Sequence, residues 1–245
     1  MKFDDVKSIF YRHVPRRYHR FCRELFAQLV CVQLTIKPAY LFDLFPYSLE
    51  AMRHLLDSLA LHLPFRAVLL KYSVNDVVIV NSAQLSILLD SETSPMLIDL
   101  MTMSTMDSHP MLDQVRQHLR WIDERQHERV DFDDELHADW AALIQPLNHT
   151  TVFGYVLGYP LVYFHSLAGA IDVSSLDNYR LYVNVDGETL LYSFSCPIHV
   201  NIDPSHIDSV VQRWFSSLAL RMSAIKSIKD FRLDKETREE SAWCL

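Results

Sequence analysis

The chain has 245 residues, is 49% hydrophobic and 11% aromatic, and carries a formal net charge of −8 at pH 7. That apolar content excludes wholesale disorder, and the acidic balance argues against a general nucleic-acid binder, which needs a cationic surface. Four cysteines (Cys22, Cys31, Cys196 and Cys244) are too few for a disulfide framework, and residues 1–17 lack an apolar secretory core; a soluble protein of the cytoplasm, or of the nucleus, is expected.

Residues 16–34 predict a helix, with Pro15 at its entry and Phe21, Leu25, Leu29 and Val32 near helical spacing. Lys37 and Pro38 end it, and 39–42 is a short apolar strand running into Asp43. Ser48 then caps a second helix whose stripe is Met52, Leu55, Leu56 and Leu59. The β-branched runs 66–72 and 77–80 flank turn residues 73–76 and predict a hairpin. The strand–helix–strand unit 39–72 suits a parallel crossover. From 82 to 148 no strand is expected. Helices are predicted at 85–89, 111–125 and 133–144, with an exposed loop over 91–110.

All four glycines (Gly154, Gly158, Gly169 and Gly187) lie beyond residue 152, although ordinary usage would supply roughly seventeen. Phosphate-cradling loops need several glycines close together, so the first part of the chain holds none. The stretch 140–171 has no Asp, Glu, Lys or Arg, but polar residues across 145–151 and Pro160 interrupt it; it reads as buried core rather than a membrane span. Gly158, Tyr159 and Pro160 bend the chain into a strand at 161–164. Residues 179–185 alternate, Asp186 and Gly187 signal a hairpin, and 190–195 is the returning strand. Asp203 caps a helix with Pro204 at its first position, followed by Ile207, Val210, Val211, Trp214, Leu218, Met222 and Ile225 at helical spacing. Charge rises after Lys226, which predicts a flexible tail over 226–245. The expected fold is α+β: one domain over 1–225, a mixed sheet of about five or six strands with helices packed against it, and a C-terminal hairpin followed by a long amphipathic helix.

At Leu157, Gly158, Tyr159, Pro160 and again at Leu191, Tyr192, Ser193, Phe194, Ser195, the chain resembles a family with a domain of unknown function, whose human member is called chromosome one open reading frame seventy-four. An arginine-bearing strand at 176–182 lies between the two motifs, and Trp214 matches a tryptophan in the family's final helix. The resemblance is clear over 152–222 and extends less clearly to 37–43. It implies no particular reaction, cofactor or catalytic residue. Where the family shows Asn-Cys-Leu before the arginine strand, Ala170, Ile171, Asp172 and Val173 stand here, so a nucleophile at that cysteine does not carry over.

Several residue sets suggest chemistry. Cys196, His199, Asp203 and His206 are ligand types at a strand-to-helix junction, but Asp203 serves as a helix cap and no second ligand pair exists, so no metal is expected. The same segment allows a Cys–His hydrolase with Cys196 as nucleophile and His199 or His206 as base, if the thiol pKa is lowered. Asp43 ends a strand, where hydrolases and phosphotransferases place a carboxylate, and Lys37 or Lys71 are its possible partners. Arg12, Arg16, Arg17, Arg20 and Arg23 interleave with aromatic residues, which would suit nucleic acid, but the acid-rich segment 123–139 opposes them. Tyr159 and Tyr163 belong to an aromatic set that forms the sheet core or lines a small-ligand pocket. Arg180 is a further candidate for partner binding. Trp243 and Leu245 suit strand addition to a peptide groove. The reading that follows is a non-catalytic protein-binding protein without a cofactor; the alternative is a hydrolase-like enzyme using Cys196 or Asp43.

Overall fold

Residues 2–59, 62, 67–71, 77–85, 88, 95–100, 102–106, 110–124, 149–164, 170–171, 175–185, 187–199, 201–239 and 243–244 are described by the structure, a computed structural model. The chain divides into two compact units, Met1–Thr93 with Asp113–Pro146, and Ser94–Leu112 with Leu147–Leu245. Mixed α+β structure is present, but the single sheet of five or six strands is not. Among the described residues there are three three-stranded sheets and one two-stranded pair. Local pattern identifies strands one at a time; which strands share a sheet depends on contacts distant in sequence.

The first unit begins with helix α1 (Phe3–His13), whose buried residues are Val6, Ile9 and Phe10. The helix expected over 16–34 forms in two parts: a 3-10 turn, Arg16–Phe21, and helix α2, Cys22–Gln33. Strand β1 (Ala39–Phe42) follows. Helix α3 (Leu49–Leu59) starts after Ser48, whose Oγ accepts the Ala51 N–H at 3.2 Å as the sequence predicts. Strands β2 (Ala67–Lys71) and β3 (Val77–Asn81) form the antiparallel hairpin. β1 pairs antiparallel with the other side of β3, so β1 and β2 run the same way but β3 lies between them. All five residues of β3 are buried: four apolar residues, Val77 to Val80, and Asn81, whose Nδ2 donates to Val32 O at 3.2 Å.

The second unit corrects the expected loop over 91–110. Strand β4 (Met96–Asp99) and strand β5 (Ser104–Met106) pair antiparallel there. Helix α4 (Pro110–Glu124) comes next, and its residues from Asp113 on belong to the first unit. The charge-free stretch then yields helix α5 (His149–Leu157), buried on nearly every side from Thr151 to Leu157, so no amphipathic period marks it in the sequence. Strand β6 (Leu161–Phe164) lies parallel to β4, and β7 is Ala170–Ile171. No described helix is long and apolar enough to cross a membrane.

Strands β8 (Ser175–Asn184) and β9 (Glu188–Pro197) form the expected hairpin, with an irregularity between Leu181 and Tyr182. Gly187 adopts φ 120° at its turn, a value that L side chains rarely reach. Helix α6 (Pro204–Ser223) is capped by Asp203, whose side chain accepts the Ser205 N–H at 2.9 Å. Strand β10 (Asp230–Glu239) corrects the expected flexible tail: its ten residues pair with β8 along the whole strand. β11 (Trp243–Cys244) pairs with β7. Buried Ile98, Leu161, Tyr179, Phe194, Ile207 and Val211 belong to the core of this unit. Each such side chain contributes about 1.5–3 kcal/mol relative to exposure.

Candidate functional site

The sequence motifs of the second unit converge in its core. Gly158 ends α5 with φ 76°. Its N–H donates to Tyr155 O at 3.1 Å, and the Tyr159 N–H donates to Gly154 O at 2.9 Å; this pair of bonds closes a helix around a left-handed glycine. The turn delivers the Tyr159 ring to 5.6 Å from Tyr192 and 5.7 Å from Phe194. Trp214 stands edge-on to both of those rings and donates its Nε1–H to Gly158 O at 3.1 Å. Tyr163 is 5% exposed, and burial pushes its hydroxyl well above the usual range. These rings pack against one another, and their chemistry is that of a core.

Cys196 and the two histidines are not joined by a hydrogen bond among the described residues. Cys196 is 3% exposed, its Sγ donates to Pro197 O at 3.7 Å, and burial followed by the nearby Asp177 charge pushes its thiol up to about 12. A nucleophile needs the opposite shift. His199 accepts the Asn201 N–H on Nδ1 at 3.2 Å, and His206 is exposed in the first turn of α6. Among the described residues no group of three or more His, Cys, Asp or Glu side chains is arranged to hold a metal ion.

A polar network that the sequence reading missed joins α6 to the sheet. Lys235 on β10 donates to Asp208 Oδ1 at 2.8 Å and lies 2.9 Å from Asp177 Oδ2. The Tyr179 hydroxyl donates to the same Asp208 oxygen at 2.8 Å, and Thr237 donates to Asp177 Oδ1 at 2.6 Å. The Lys235 bond holds the Asp208 carboxyl below its usual range. Burial alone would lower the Lys235 pKa, but its bonds to Asp208 and Asp177 outweigh that and raise it. Both groups stay charged at neutral pH, so this is an ion-pair clasp rather than an acid–base pair. Phe231, Leu233, Lys235 and Thr237 alternate with charged residues at strand period, a signal too weak by itself to distinguish a strand from a solvated charged segment.

The opposite side of the same sheet faces solvent. Arg180 on β8 pairs with Glu236 on β10 at 3.2 Å, and Arg238 reaches the same Glu236 oxygen at 2.9 Å. Arg232 bonds Glu188 and Asp234 and stands 4.4 Å over the Tyr182 ring.

In the first unit Asp43 is exposed at the end of β1. Its charge reaches Glu24, Lys37 and Tyr40. Lys37 is 5% exposed, donates to Gln28 Oε1 at 3.1 Å, and is lowered to about 8 by burial. Lys71 and Phe42 both pair with Val77, on its two sides, which brings the ends of β1 and β2 to one end of the sheet; the Lys71 side chain lies outside the described residues. Three arginines of the basic patch rest on nearby rings: Arg17 over Tyr18 at 4.6 Å, Arg20 over Phe21 at 4.7 Å and Arg23 over Phe3 at 5.7 Å. The acid-rich segment from 125 on, the predicted helix 133–144, Leu245 and the Trp243 side chain lie outside the described residues.

The architecture is that of a mixed α+β protein whose motif residues build a core. The family model described as Domain of unknown function (DUF4504) matches residues 10–245, and the chain belongs to that family. The match includes β10 and β11, beyond the region where the motifs are legible. No curated protein and no solved structure matches the chain.

Proposed function

We propose that this is a non-catalytic binding protein of the cytoplasm, which engages a protein partner through the solvent face of the sheet β10-β8-β9. The observation that carries this reading is the cross-strand charge array around Arg180, Glu236 and Arg232, spread over ten-residue strands held rigid from behind by α6. A flat array of both signs gives specificity and orientation more than raw affinity. The buried, raised thiol of Cys196 supports a role without nucleophilic catalysis. Free thiols at Cys22, Cys31 and Cys196 support a reducing compartment. The test is affinity capture with wild type and with Arg180→Glu, on protein whose circular dichroism matches wild type. Partners that bind this face are lost with Arg180→Glu; an unchanged partner set refutes the face.

A second reading, a hydrolase-like site at Asp43, is supported by the buried Lys37, whose pKa burial lowers to about 8 against the opposing pull of that carboxylate. It requires turnover of an activated ester or phosphate by wild type that Asp43→Asn abolishes.

A further inference from the structure

Strand β10 is an edge strand of ten residues: it pairs with β8 on one side, and no described strand pairs with it on the other. In an antiparallel ladder alternate residues direct their N–H and C=O groups away from the neighbour. The outer side of β10 therefore offers a row of backbone donors and acceptors to a further strand. Its side chains are exposed from Asp234 to Glu239. Charged residues on an edge normally discourage such pairing, but here the order of signs on alternate residues, minus, plus, minus, minus, plus from Asp230 to Arg238, complements itself within the strand most fully in one register.

On the solvent side β10 carries Asp230, Arg232, Asp234, Glu236 and Arg238. An antiparallel partner with the same sequence, centred on Asp234, sets Arg232 opposite Glu236 and Asp230 opposite Arg238, each twice by symmetry. Only Asp234 meets its own copy, and Arg232 already bridges each Asp234 at 3.2 Å. Centring on Lys235 instead opposes Arg232 with Arg238 and Asp234 with Glu236, all like-signed. Centring on Leu233 opposes Asp230 with Glu236 and Arg232 with Asp234, and centring on Glu236 opposes Asp234 with Arg238, so each offers two opposite-sign pairs within the strand against the four of the Asp234 register. On the other side of the strand, the Asp234 register sets Leu233 beside the Lys235 stem and Phe231 beside Thr237. Opposite charges directly across strands stabilise and like charges destabilise.

We propose that two copies of this chain associate through antiparallel β10–β10 pairing centred on Asp234, merging two three-stranded sheets into one of six strands. The partner is a second copy because the charge pattern of β10 complements itself in that register. The proposal shares Arg232 and Glu236 with the solvent face described above but concerns the backbone edge of β10, which the concentration dependence of hydrogen exchange reads without altering Arg180.

The experiment is sedimentation velocity across the micromolar range on wild type, Arg232→Glu, Glu236→Arg, and an equimolar mixture of the two variants. Wild type is expected to dimerise. Each variant alone opposes like charges at two positions and weakens the dimer at least about tenfold. The mixture restores all the opposite-sign pairs and forms a one-to-one heterodimer. A monomeric wild type, variants that dimerise as wild type does, or a mixture that stays monomeric would each overturn the proposal. Hydrogen exchange on wild type provides a readout independent of the variants: amides on the outer side of β10 gain protection as concentration rises, and exchange that ignores concentration refutes the pairing.

Discussion

The indole Nε1 of Trp214 donates to the carbonyl oxygen of Gly158 at 3.1 Å, joining α6 to the left-handed turn that ends α5. The same indole packs edge-on against Tyr192 and Phe194 of β9. Trp214→Phe, which removes the donor and part of the ring system but keeps an aromatic ring, is expected to cost about 1–2 kcal/mol. Trp214→Ala, which also removes the ring contacts, should cost about 3–5 kcal/mol. Urea unfolding of the two variants separates these contributions: equal losses would show that the ring contacts contribute nothing, and a Trp214→Phe variant as stable as wild type that the hydrogen bond contributes nothing.

Gly158 holds φ 76°. An alanine there must either adopt a conformation that a Cβ disfavours or open the turn that places Tyr159. Gly158→Ala should therefore destabilise by about 1–2 kcal/mol. A variant as stable as wild type in thermal unfolding would contradict the strain argument.

Cys22, Cys31 and Cys196 are buried, and burial raises their thiols to about 11, 12 and 12. Iodoacetamide at pH 8 should leave all three unmodified in native protein and label them after denaturation. Rapid native labelling at Cys196, read by peptide mass spectrometry, would revive a nucleophilic role for it.

Lys37 has a folded-state pKa of about 8, against about 10.4 in an unfolded chain. Between those values the unfolded chain binds the extra proton, so this group makes stability rise with pH, by on the order of 3 kcal/mol over the window. The raised thiols act in the opposite direction above about pH 9, so the comparison must be with Lys37→Met, which retains them. Wild type should gain on Lys37→Met from pH 8 to pH 10. A pH-independent difference would mean that Lys37 is not buried as described.

Asp208 acts in the same sense at the acid end of the pH scale. Its carboxyl is lowered, first by the Lys235 bond, so its contribution is present above about pH 3.9 and lost as pH falls through the folded value. Because its side chain is 47% exposed, Asp208→Asn should cost under about 1 kcal/mol at pH 7. The difference from wild type should vanish in strong acid, which acid titration followed by circular dichroism would reveal.

Much of the local structure was legible because it rests on short-range chemistry. The Ser48 and Asp203 caps, the 66–80 hairpin, Gly187 in its turn and the apolar spacing of α6 all depend on residues within a few positions of one another. β4 escaped because three apolar residues ending in Asp99 carry too short a pattern to separate from loop. Strand β10 escaped for a different reason: its alternation of charged and apolar residues reads as a solvated tail until β8 is placed beside it.

The sequence by itself determined the α+β class, the turns, the capped helices and the exclusion of glycine-rich phosphate loops from the first part of the chain. Those properties follow from backbone sterics and from hydrogen bonds within a few residues. Only the tertiary structure decided that Tyr163 and Cys196 are buried, that Lys235 clasps Asp177 and Asp208, and that 230–239 becomes a sheet edge. Desolvation and cross-strand pairing depend on which distant segments come together, and no local pattern encodes that choice.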